Sequence, residues 1–207
     1  MYDIVILGGG PGGYAAGIRS AQLGATVALV EASEIGGVCV NRGCIPAKVW
    51  GQSAYFNQVI KKAKEFGIEA KVNSLDLSVI TTRKDGVSGD IRMGMDGLLG
   101  NNRIEVITGS GVIKGAGIVE VNGKQLEGKN IIIATGTSAG LPDIKGIEKG
   151  HFSTDELFLM DEIPESILVF GAGYVEIEMA SILNAFGCKV TLAFDGARIL
   201  STEDGDT

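Results

Sequence analysis

One pattern occurs twice in this chain and restricts its fold more than any other feature. When the sequence is shifted by 163 residues, Gly8 and Gly10 fall on Gly171 and Gly173, and the apolar runs before these glycines coincide. In each copy an apolar run of strand length ends in glycines, and a small-residue helical pattern, a further glycine and a second strand follow. Two strand–helix–strand units are therefore predicted. Their elements are strands at 3–7, 26–30, 167–170 and 189–194 and helices at 11–23 and 174–186.

The segment between the two units has a different pattern of apolar residues. Residues 45–65 are predicted to form a helix with Pro46 in its first turn, where a missing N–H costs nothing. Residues 76–99 carry a weaker helical pattern that glycines interrupt. Further along, the sequence predicts short β-type runs from Ile104, a strand at 130–134 and a linker at 137–166.

The composition excludes several classes of protein. The chain has 45% apolar and 21% charged residues, so it is expected to fold into a globular core. A formal net charge of −7 argues against binding along a nucleic acid backbone. The first residues lack the features of a signal peptide, and no apolar run is long enough to span a membrane. We expect neither a nucleic acid nor a membrane partner.

The glycine loop from Gly8 to Gly13 predicts a dinucleotide site. It contains the pattern G-x-G-x-x-G, with Pro11 and Gly12 between its second and third glycines, and it lies directly between a strand and a helix. Gly8 permits the turn, Gly10 lets a diphosphate approach the backbone, and Gly13 allows close helix packing. Glu31 ends the next strand and can accept hydrogen bonds from both ribose hydroxyls. The alternative is a glycine-rich turn without a ligand.

Two of the three cysteines, Cys39 and Cys44, lie close together in the sequence. Five residues of ideal helix rise about 7.5 Å, which exceeds the Cα separation of about 7 Å that a disulfide allows. If the two cysteines pair, the backbone between them must depart from an ideal helix. A redox-active disulfide and a pair of inert thiols both stay open on spacing alone, whereas a metal site lacks a second ligand pair. So few cysteines favour a reducing compartment, and we expect a cytoplasmic protein.

Four motifs in this order resemble one family of enzymes. They are the first glycine loop, the sequence G-G-x-C-x-N-x-G-C-I-P-x-K at 36–48, the triplet Ala134-Thr135-Gly136 after a strand, and the second glycine motif at 171–174. Together they resemble the pyridine nucleotide–disulfide oxidoreductases. The resemblance implies an α/β fold: a three-layer Rossmann-like domain with a parallel sheet and an antiparallel β-meander, followed by the start of a second Rossmann-like unit. It also implies an FAD-binding domain at 1–145 and part of an NAD(P)-binding domain at 146–207.

The resemblance assigns roles to individual residues. It implies that FAD binds the first glycine loop, that Cys44 faces the flavin and that Cys39 exchanges with a dithiol substrate. Lys48 matches a lysine near the flavin, Glu178 matches the glutamate that pairs with it, and Tyr174 matches an aromatic lid. The implied cofactor-binding residues also include Gly37, Ala134, Thr135, Gly136, Gly171 and Gly173.

The second glycine motif departs from the first at two positions. Glu176 stands where the first motif has Gly13, and Phe194 stands where it has Glu31. A glutamate at the third glycine places a negative charge where a diphosphate would lie, and Phe194 cannot accept a ribose hydrogen bond. The alternative is that Glu176 only stabilises its own helix N-terminus. We therefore expect weak binding of NAD(H).

Several functions stay open at this level. The family implies a dithiol or disulfide substrate, such as the lipoyl domain of a 2-oxoacid dehydrogenase complex, and a homodimer in the full-length parent. Family chains are more than twice as long, and His151 matches no part of the family's acid–base pair. The alternatives are a non-catalytic FAD-binding fragment that needs a partner chain, and a mercuric- or glutathione-type reductase on the same scaffold.

Overall fold

The structure is a computed structural model that describes residues 1–205. The helices are α1 (Pro11–Gln22), α2 (Gly37–Asn41), α3 (Cys44–Lys62), α4 (Leu77–Asn101), α5 (Thr154–Leu157) and α6 (Tyr174–Phe186). The strands are β1 (Tyr2–Leu7), β2 (Val27–Glu31), β3 (Glu105–Thr108), β4 (Gly111–Gly115), β5 (Ile118–Val121), β6 (Lys124–Ile133), β7 (Ser166–Phe170) and β8 (Lys189–Ala193). Short 3₁₀ turns lie at Ala63–Phe66 and Ile147–Lys149.

The chain packs into two compact units. The first comprises Met1–Ile45 and Gly86–Asp155, and the second comprises Pro46–Asp85 and the chain from Glu156. The division by cofactor into 1–145 and 146–207 stays a prediction. None of the helices within residues 1–205 combines the length and apolar character that crossing a membrane requires.

A six-stranded mixed sheet forms the centre of the first unit, in the order β3-β2-β1-β6-β5-β4. Strand β1 pairs in parallel with both β2 and β6, and β2 pairs in parallel with β3. Strands β4, β5 and β6 form an antiparallel meander. The predicted α/β class, with a parallel sheet and a β-meander, is confirmed.

Side chains on alternate positions of the parallel strands enter two different cores. Ile6 and Leu29 point to one face, where they pack with residues of α1 and with Leu99 of α4. On the other face, Val5 and Val30 pack against the meander. Because successive side chains of a strand point to opposite faces, apolar residues at every position require both faces to be covered. The first unit therefore has the three predicted layers.

Strand β6 belongs to both parts of the sheet. Its first half pairs antiparallel with β5, ending at Glu127, and its second half pairs in parallel with β1, beginning at Gly128. A Cβ built on Gly128 would lie 2.7 Å from a methyl group of Val5, so the strand passes closely over β1 where it changes partner. The sequence predicted a separate strand at 130–134, and the structure instead has one strand of 10 residues.

The second unit has its core around Trp50, which is fully buried. The indole ring meets Phe158 nearly edge-on with a centroid distance of 5.1 Å, and Phe186 lies 5.8 Å away. The amide of the buried Asn57 donates to the carbonyl oxygen of Ala185 at 2.7 Å. This core joins α3, the start of α4 and α6 to the parallel pair β7 and β8.

The two predicted strand–helix–strand units have matching backbones. The N–H of Gly8 donates to Val30 at 2.8 Å, and the equivalent N–H of Gly171 donates to Ala193 at 2.9 Å. The first glycine of each loop has a positive φ, +102° and +117° respectively. Helices α1 and α6 both begin after an extended glycine, Gly10 in the first unit and Gly173 in the second. The duplication read from the sequence is therefore a duplication of structure.

Helix α4 differs from the sequence prediction. It runs for 25 residues without interruption, although it contains five glycines. Its N-terminus is capped by Asp76, whose carboxylate accepts the N–H groups of Ser78 and Val79 at 2.9 and 3.3 Å. The Ser78 hydroxyl, which donates to the same carboxylate at 2.6 Å, and these N–H groups hold the pKa of Asp76 below its usual range. Capping and the packing of Leu77 and Leu99 outweigh the entropic cost of the glycines.

Replacing Gly94 of α4 with alanine is expected to stabilise the protein. Gly94 is exposed within a helix, and a Cβ built on it meets no atom within 4 Å. Alanine loses less backbone entropy on folding, so the free energy of unfolding should rise by about 0.4–1 kcal/mol in urea titrations. Gly24→Ala is the matched control, because it has equal space but a φ of +91°. Gly24→Ala should destabilise the protein. A Gly94→Ala variant that unfolds at a lower urea concentration than the original chain would contradict a continuous helix at Gly94.

Candidate functional site

Three predicted segments meet at one edge of the first unit's sheet. The glycine loop follows β1, Glu31 ends β2 and Ala134 follows β6. Because these strands are parallel neighbours, their carboxyl ends lie together. Ligands of open α/β sheets bind at this edge, where connections leave a strand toward opposite sides. The fold therefore gathers the dinucleotide motif, the acidic residue and the Ala134-Thr135-Gly136 triplet in one place.

The turn after β1 admits only glycine at its first position. Gly8 has a φ of +102°, and a Cβ built on it would collide with the carbonyl oxygen of Ala134. Ala134 in turn donates its N–H to Leu7 at 2.7 Å. The two strand ends are thus in backbone contact, and Gly8 lets them approach.

The third glycine brings α1 against the same turn. A Cβ built on Gly13 would overlap the carbonyl oxygen of Gly8 and lie 2.8 Å from its carbonyl carbon. This is the close helix-to-strand approach expected of the third glycine in a dinucleotide motif. It brings the start of α1 onto the end of β1.

The first turn of α1 is suited to an anion. The helix begins at Pro11 after Gly10, and across the described residues no side chain caps its N-terminus. Pro11 has no N–H, so Gly12 and Gly13 supply the first helical donors. Unpaired N–H groups and the positive end of the helix dipole favour a phosphate group here.

The Glu31 carboxylate is held beside this loop. One oxygen accepts the N–H of Gly9 at 2.6 Å, and the other accepts the N–H of Ser33 at 2.8 Å. Each carboxylate oxygen keeps a further lone pair, so both can still accept a hydroxyl group. The sequence indicated the carboxylate but not the Ser33 contact that orients it.

The segment with the cysteines begins directly at the glycine loop. Gly36 donates its N–H to the carbonyl oxygen of Gly9 at 2.9 Å. Gly37, with a φ of +59°, is so close that a Cβ built on it would lie 2.7 Å from the Cα of Gly10. Since α2 starts at Gly37, the helix that carries Cys39 is attached to the predicted dinucleotide loop.

The backbone between the two cysteines departs from a helix, as their pairing would require. Helix α2 ends at Asn41, and Arg42 has a φ of −144° before α3 begins at Cys44. Gly43 fits closely in this break, because a Cβ there would lie 3.1 Å from the carbonyl oxygen of Val38. The 5-residue helix α2 and the 19-residue helix α3 therefore replace one continuous helix.

The three cysteines lie in different environments. Cys44 is exposed, Cys39 is partly buried, and Cys188 is buried in the second unit. Burial raises the pKa of the Cys188 thiol. A disulfide between Cys39 and Cys44 stays a prediction.

Sequence reasoning missed two residues of α4 that touch the cysteine segment. Ser88 donates to the carbonyl oxygen of Val40, and Arg92 donates to the side chain of Asn41. About 50 residues separate these partners, 48 in the first pair and 51 in the second. No local pattern could indicate such a contact.

The second glycine loop repeats the first in backbone but not in chemistry. Glu176 folds back so that its Oε2 accepts the N–H of Gly173 at 2.9 Å. Its side chain also covers Gly171, where a built Cβ would lie 2.9 Å from the Glu176 Cδ. Glu176 therefore caps α6, whereas the N-terminus of α1 has no such cap.

The other predicted residues of the second unit lie at its surface. Lys48 on α3 and Glu178 on α6 are both exposed, and within residues 1–205 no ion pair joins them. Tyr174, the first residue of α6, is 76% exposed, and Phe194 is 39% exposed after β8. The roles of these residues stay predictions.

The first unit is a Rossmann-like dinucleotide-binding fold, and comparison with known proteins names its family. The sequence model of the pyridine nucleotide-disulphide oxidoreductases matches residues 2–206. Similar curated proteins are named dihydrolipoyl dehydrogenase. That of Acholeplasma laidlawii is 45% identical over 99% of this chain, and that of Bacillus subtilis (strain 168) is 41% identical over 98%. That of Thermus scotoductus is 41% identical over 100% of this chain.

The chain therefore belongs to the pyridine nucleotide-disulphide oxidoreductase family, which is a family of enzymes. It covers 63%, 46% and 45% of these three relatives, which is about half of their length. The resemblance that the sequence motifs indicated is confirmed.

Gly13→Ala is expected to destabilise the first unit. The new methyl group would overlap the carbonyl oxygen of Gly8, so α1 must move away from β1, and the free energy of unfolding should fall by about 1–3 kcal/mol. Gly12→Ala is the neighbouring control, since its Cβ meets only the Cβ of Ala134 at an ordinary 3.7 Å. Urea unfolding followed by circular dichroism tests both. Equal stability of the two variants would contradict the close approach.

Proposed function

We propose that this chain is part of an FAD-dependent disulfide oxidoreductase. It would pass electrons between NAD(H) and a dithiol substrate through a redox disulfide of Cys39 and Cys44. The relatives' name suggests that the dithiol is a lipoyl group, carried by the lipoyl domain of a 2-oxoacid dehydrogenase complex. A homodimer of the full-length parent and a cytoplasmic location are part of the same proposal.

One observation carries this proposal: the cysteine helix starts against the glycine loop. Gly36 is hydrogen-bonded to Gly9, and Gly37 lies against Gly10, so Cys39 is two residues from a contact with the loop. A redox pair exchanges electrons with a bound cofactor only if both occupy neighbouring positions. Such a short connection supports a shared site.

The residues of the first unit fit FAD. The uncapped first turn of α1 suits the diphosphate, and the Glu31 carboxylate suits the hydroxyls of a ribose. Gly136 has a φ of +71°, and a Cβ built on it meets no atom within 4 Å. The chain after β6 therefore leaves open space beside Gly136 for a ligand. FAD, when bound, supplies two-electron transfer between a nicotinamide and a disulfide.

The two cysteines would exchange with the substrate by ordinary thiol chemistry. A substrate thiolate attacks the Cys39 sulfur of the disulfide, forms a mixed disulfide and releases the Cys44 thiolate. The second thiol of the substrate then attacks the substrate sulfur that is bonded to Cys39. This step closes the disulfide of the oxidised substrate and releases Cys39 as a thiol. Two electrons and two protons pass from the substrate to the cysteine pair. Cys44 lies in the first turn of α3.

Lys48 and Glu178 complete this proposal. Lys48 lies four residues after Cys44 on α3, so the two side chains project from the same side of the helix. A cation there would favour the anionic form of a reduced cofactor. Tyr174 and Glu178 are likewise four residues apart on α6, which supports a common role at the nicotinamide site.

A second candidate function is a module that holds FAD without turnover. The observation in its favour is Glu176, which occupies the N-terminus of α6 with its own carboxylate. A dinucleotide must displace this carboxylate or bind without the Gly173 N–H. A mercuric- or glutathione-type reductase would share the first unit, and it differs only in substrate.

The purified chain is expected to retain flavin and to be reduced by dihydrolipoamide. Absorbance spectra should show a bound flavin that loses its visible bands when the dithiol is added. Cys39→Ser and Cys44→Ser should both retain flavin but resist reduction by the dithiol, since each removes one sulfur of the pair. Cys188→Ala is the control and should behave like the original chain, because Cys188 is buried in the second unit.

The outcomes separate the candidates. A chain that binds no flavin rejects both functions. Bound flavin that neither dihydrolipoamide nor reduced glutathione reduces selects the FAD-holding module, and reduction by reduced glutathione but not by dihydrolipoamide selects a glutathione-type substrate.

Glu176→Gly is expected to tighten the binding of NADH. The substitution removes the carboxylate that accepts the Gly173 N–H and frees that donor for a diphosphate. The dissociation constant should fall roughly tenfold, equivalent to about 1.4 kcal/mol. Glu176→Gln tests charge separately from size and should give part of this gain.

Fluorescence titration with NADH measures both variants. Glu165→Gln is the control. Glu165 is an exposed acid of the same unit, and its substitution removes the same charge. Equal dissociation constants for Glu176→Gly and the original chain would show that Glu176 only caps its helix.

A further inference from the structure

The amide side chain of Asn41 contacts several backbone carbonyl groups in the segment that carries Cys39. The Nδ2 of Asn41 lies 2.9 Å from the carbonyl oxygen of Gly37, 3.1 Å from that of Ile35 and 3.3 Å from that of Glu34. These carbonyl groups lie between the end of β2 and the first residue of α2. The amide therefore closes the segment into a compact loop just before the helix break.

Arg92 fixes the orientation of this amide. Its Nη1 donates to the Oδ1 of Asn41 at 2.8 Å, and its Nε lies 2.7 Å from the Oε2 of Glu34. With Oδ1 engaged by a cation, Nδ2 must face the three carbonyl oxygens. A planar guanidinium serves both acceptors at once, whereas the single ammonium of lysine cannot reproduce that fork.

A second contact holds α2 against α4. Ser88, which is 4% exposed, donates its hydroxyl to the carbonyl oxygen of Val40 at 2.9 Å. Ser88 and Arg92 lie four residues apart on α4, so they present neighbouring side chains to the cysteine segment. Both contacts lie within the first unit.

We propose that Arg92 is a positioning residue for the cysteine pair. It holds Asn41 in the orientation that ends α2 before Arg42, and thereby preserves the break that two cysteines five positions apart need in order to pair. A fixed break between α2 and α3 raises the effective concentration of the Cys39 thiol near the Cys44 thiol. Without Arg92 the amide can rotate, the loop gains conformational freedom, and the disulfide becomes less favourable relative to the dithiol.

This inference rests on the proposed function only in requiring that Cys39 and Cys44 form a disulfide. The reaction tested converts two protein thiols and one oxidised glutathione into one protein disulfide and two reduced glutathione molecules. It needs neither flavin nor substrate. A failure of the inference is therefore distinguishable from a failure of the proposed function.

The experiment measures this equilibrium constant for the full 207-residue chain in glutathione buffers. Alkylation and mass spectrometry of the peptides that contain Cys39 and Cys44 report the oxidised fraction. For Arg92→Gln we expect the constant to fall about tenfold, which raises the reduction potential by about 30 mV. Arg92→Lys should shift it in the same direction by less. Arg83→Gln is the control, because Arg83 is exposed on the same helix.

A cycle with Asn41→Ala separates positioning from general stabilisation. If Arg92 acts through Asn41, Arg92→Gln should have no further effect on the constant once Asn41 is alanine. A purely structural role would instead lower the free energy of unfolding and leave the constant unchanged. Arg92→Lys keeps a cation beside Glu34, and its constant is interpretable even if Arg92→Gln does not fold.

Three results would overturn the inference. They are an unchanged constant in Arg92→Gln, or in Arg92→Lys if only that variant folds; an equal shift in Arg83→Gln; and a shift that persists in the Asn41→Ala background. If the original chain forms no disulfide between Cys39 and Cys44 in any glutathione buffer, the proposed function fails and this inference fails with it.

Discussion

The contact between Gly13 and Gly8 determines how the first unit can be used. At this point the start of α1 touches the carbonyl group at the end of β1, and no side chain fits between them. The contact brings the first N–H groups of the helix to the carboxyl edge of the sheet. The same edge receives Glu31 from β2 and Ala134 from β6, and the cysteine segment attaches there through Gly36 and Gly37. A wider separation of helix and strand would disperse all of these groups.

The second copy of the motif has a different residue at the position of Gly13. Its backbone hydrogen bonds match those of the first copy, yet Glu176 stands at this position. The Glu176 side chain lies over Gly171, where a built Cβ would be 2.9 Å from the Glu176 Cδ. The longer side chain then turns back and caps the helix. One substitution thus converts an open helix N-terminus into an occupied one, while the fold around it persists.

Much of this arrangement was predictable because it depends on local patterns. Glycines at fixed spacing after an apolar run indicate both turns, and apolar residues at successive positions of the strands indicate a sheet covered on both faces. The contacts that were missed are long-range. Nothing near Arg92 indicates that it meets Asn41, and nothing in the glycines of α4 indicates that Leu77 and Leu99 hold the helix together. Propensity alone overestimated the effect of those glycines, since tertiary packing decides the outcome.

Strand β6 has a consequence for how the first unit responds to stress. Because its two halves pair with different neighbours, the meander and the parallel layer share one continuous backbone. Loosening of β5 is therefore expected to free the first half of β6, and the second half of this strand ends next to Ala134, which lies against Gly8. We expect heat or denaturant to unfold both parts in one cooperative transition, so that the conformation of the glycine loop reports the integrity of strands far from it.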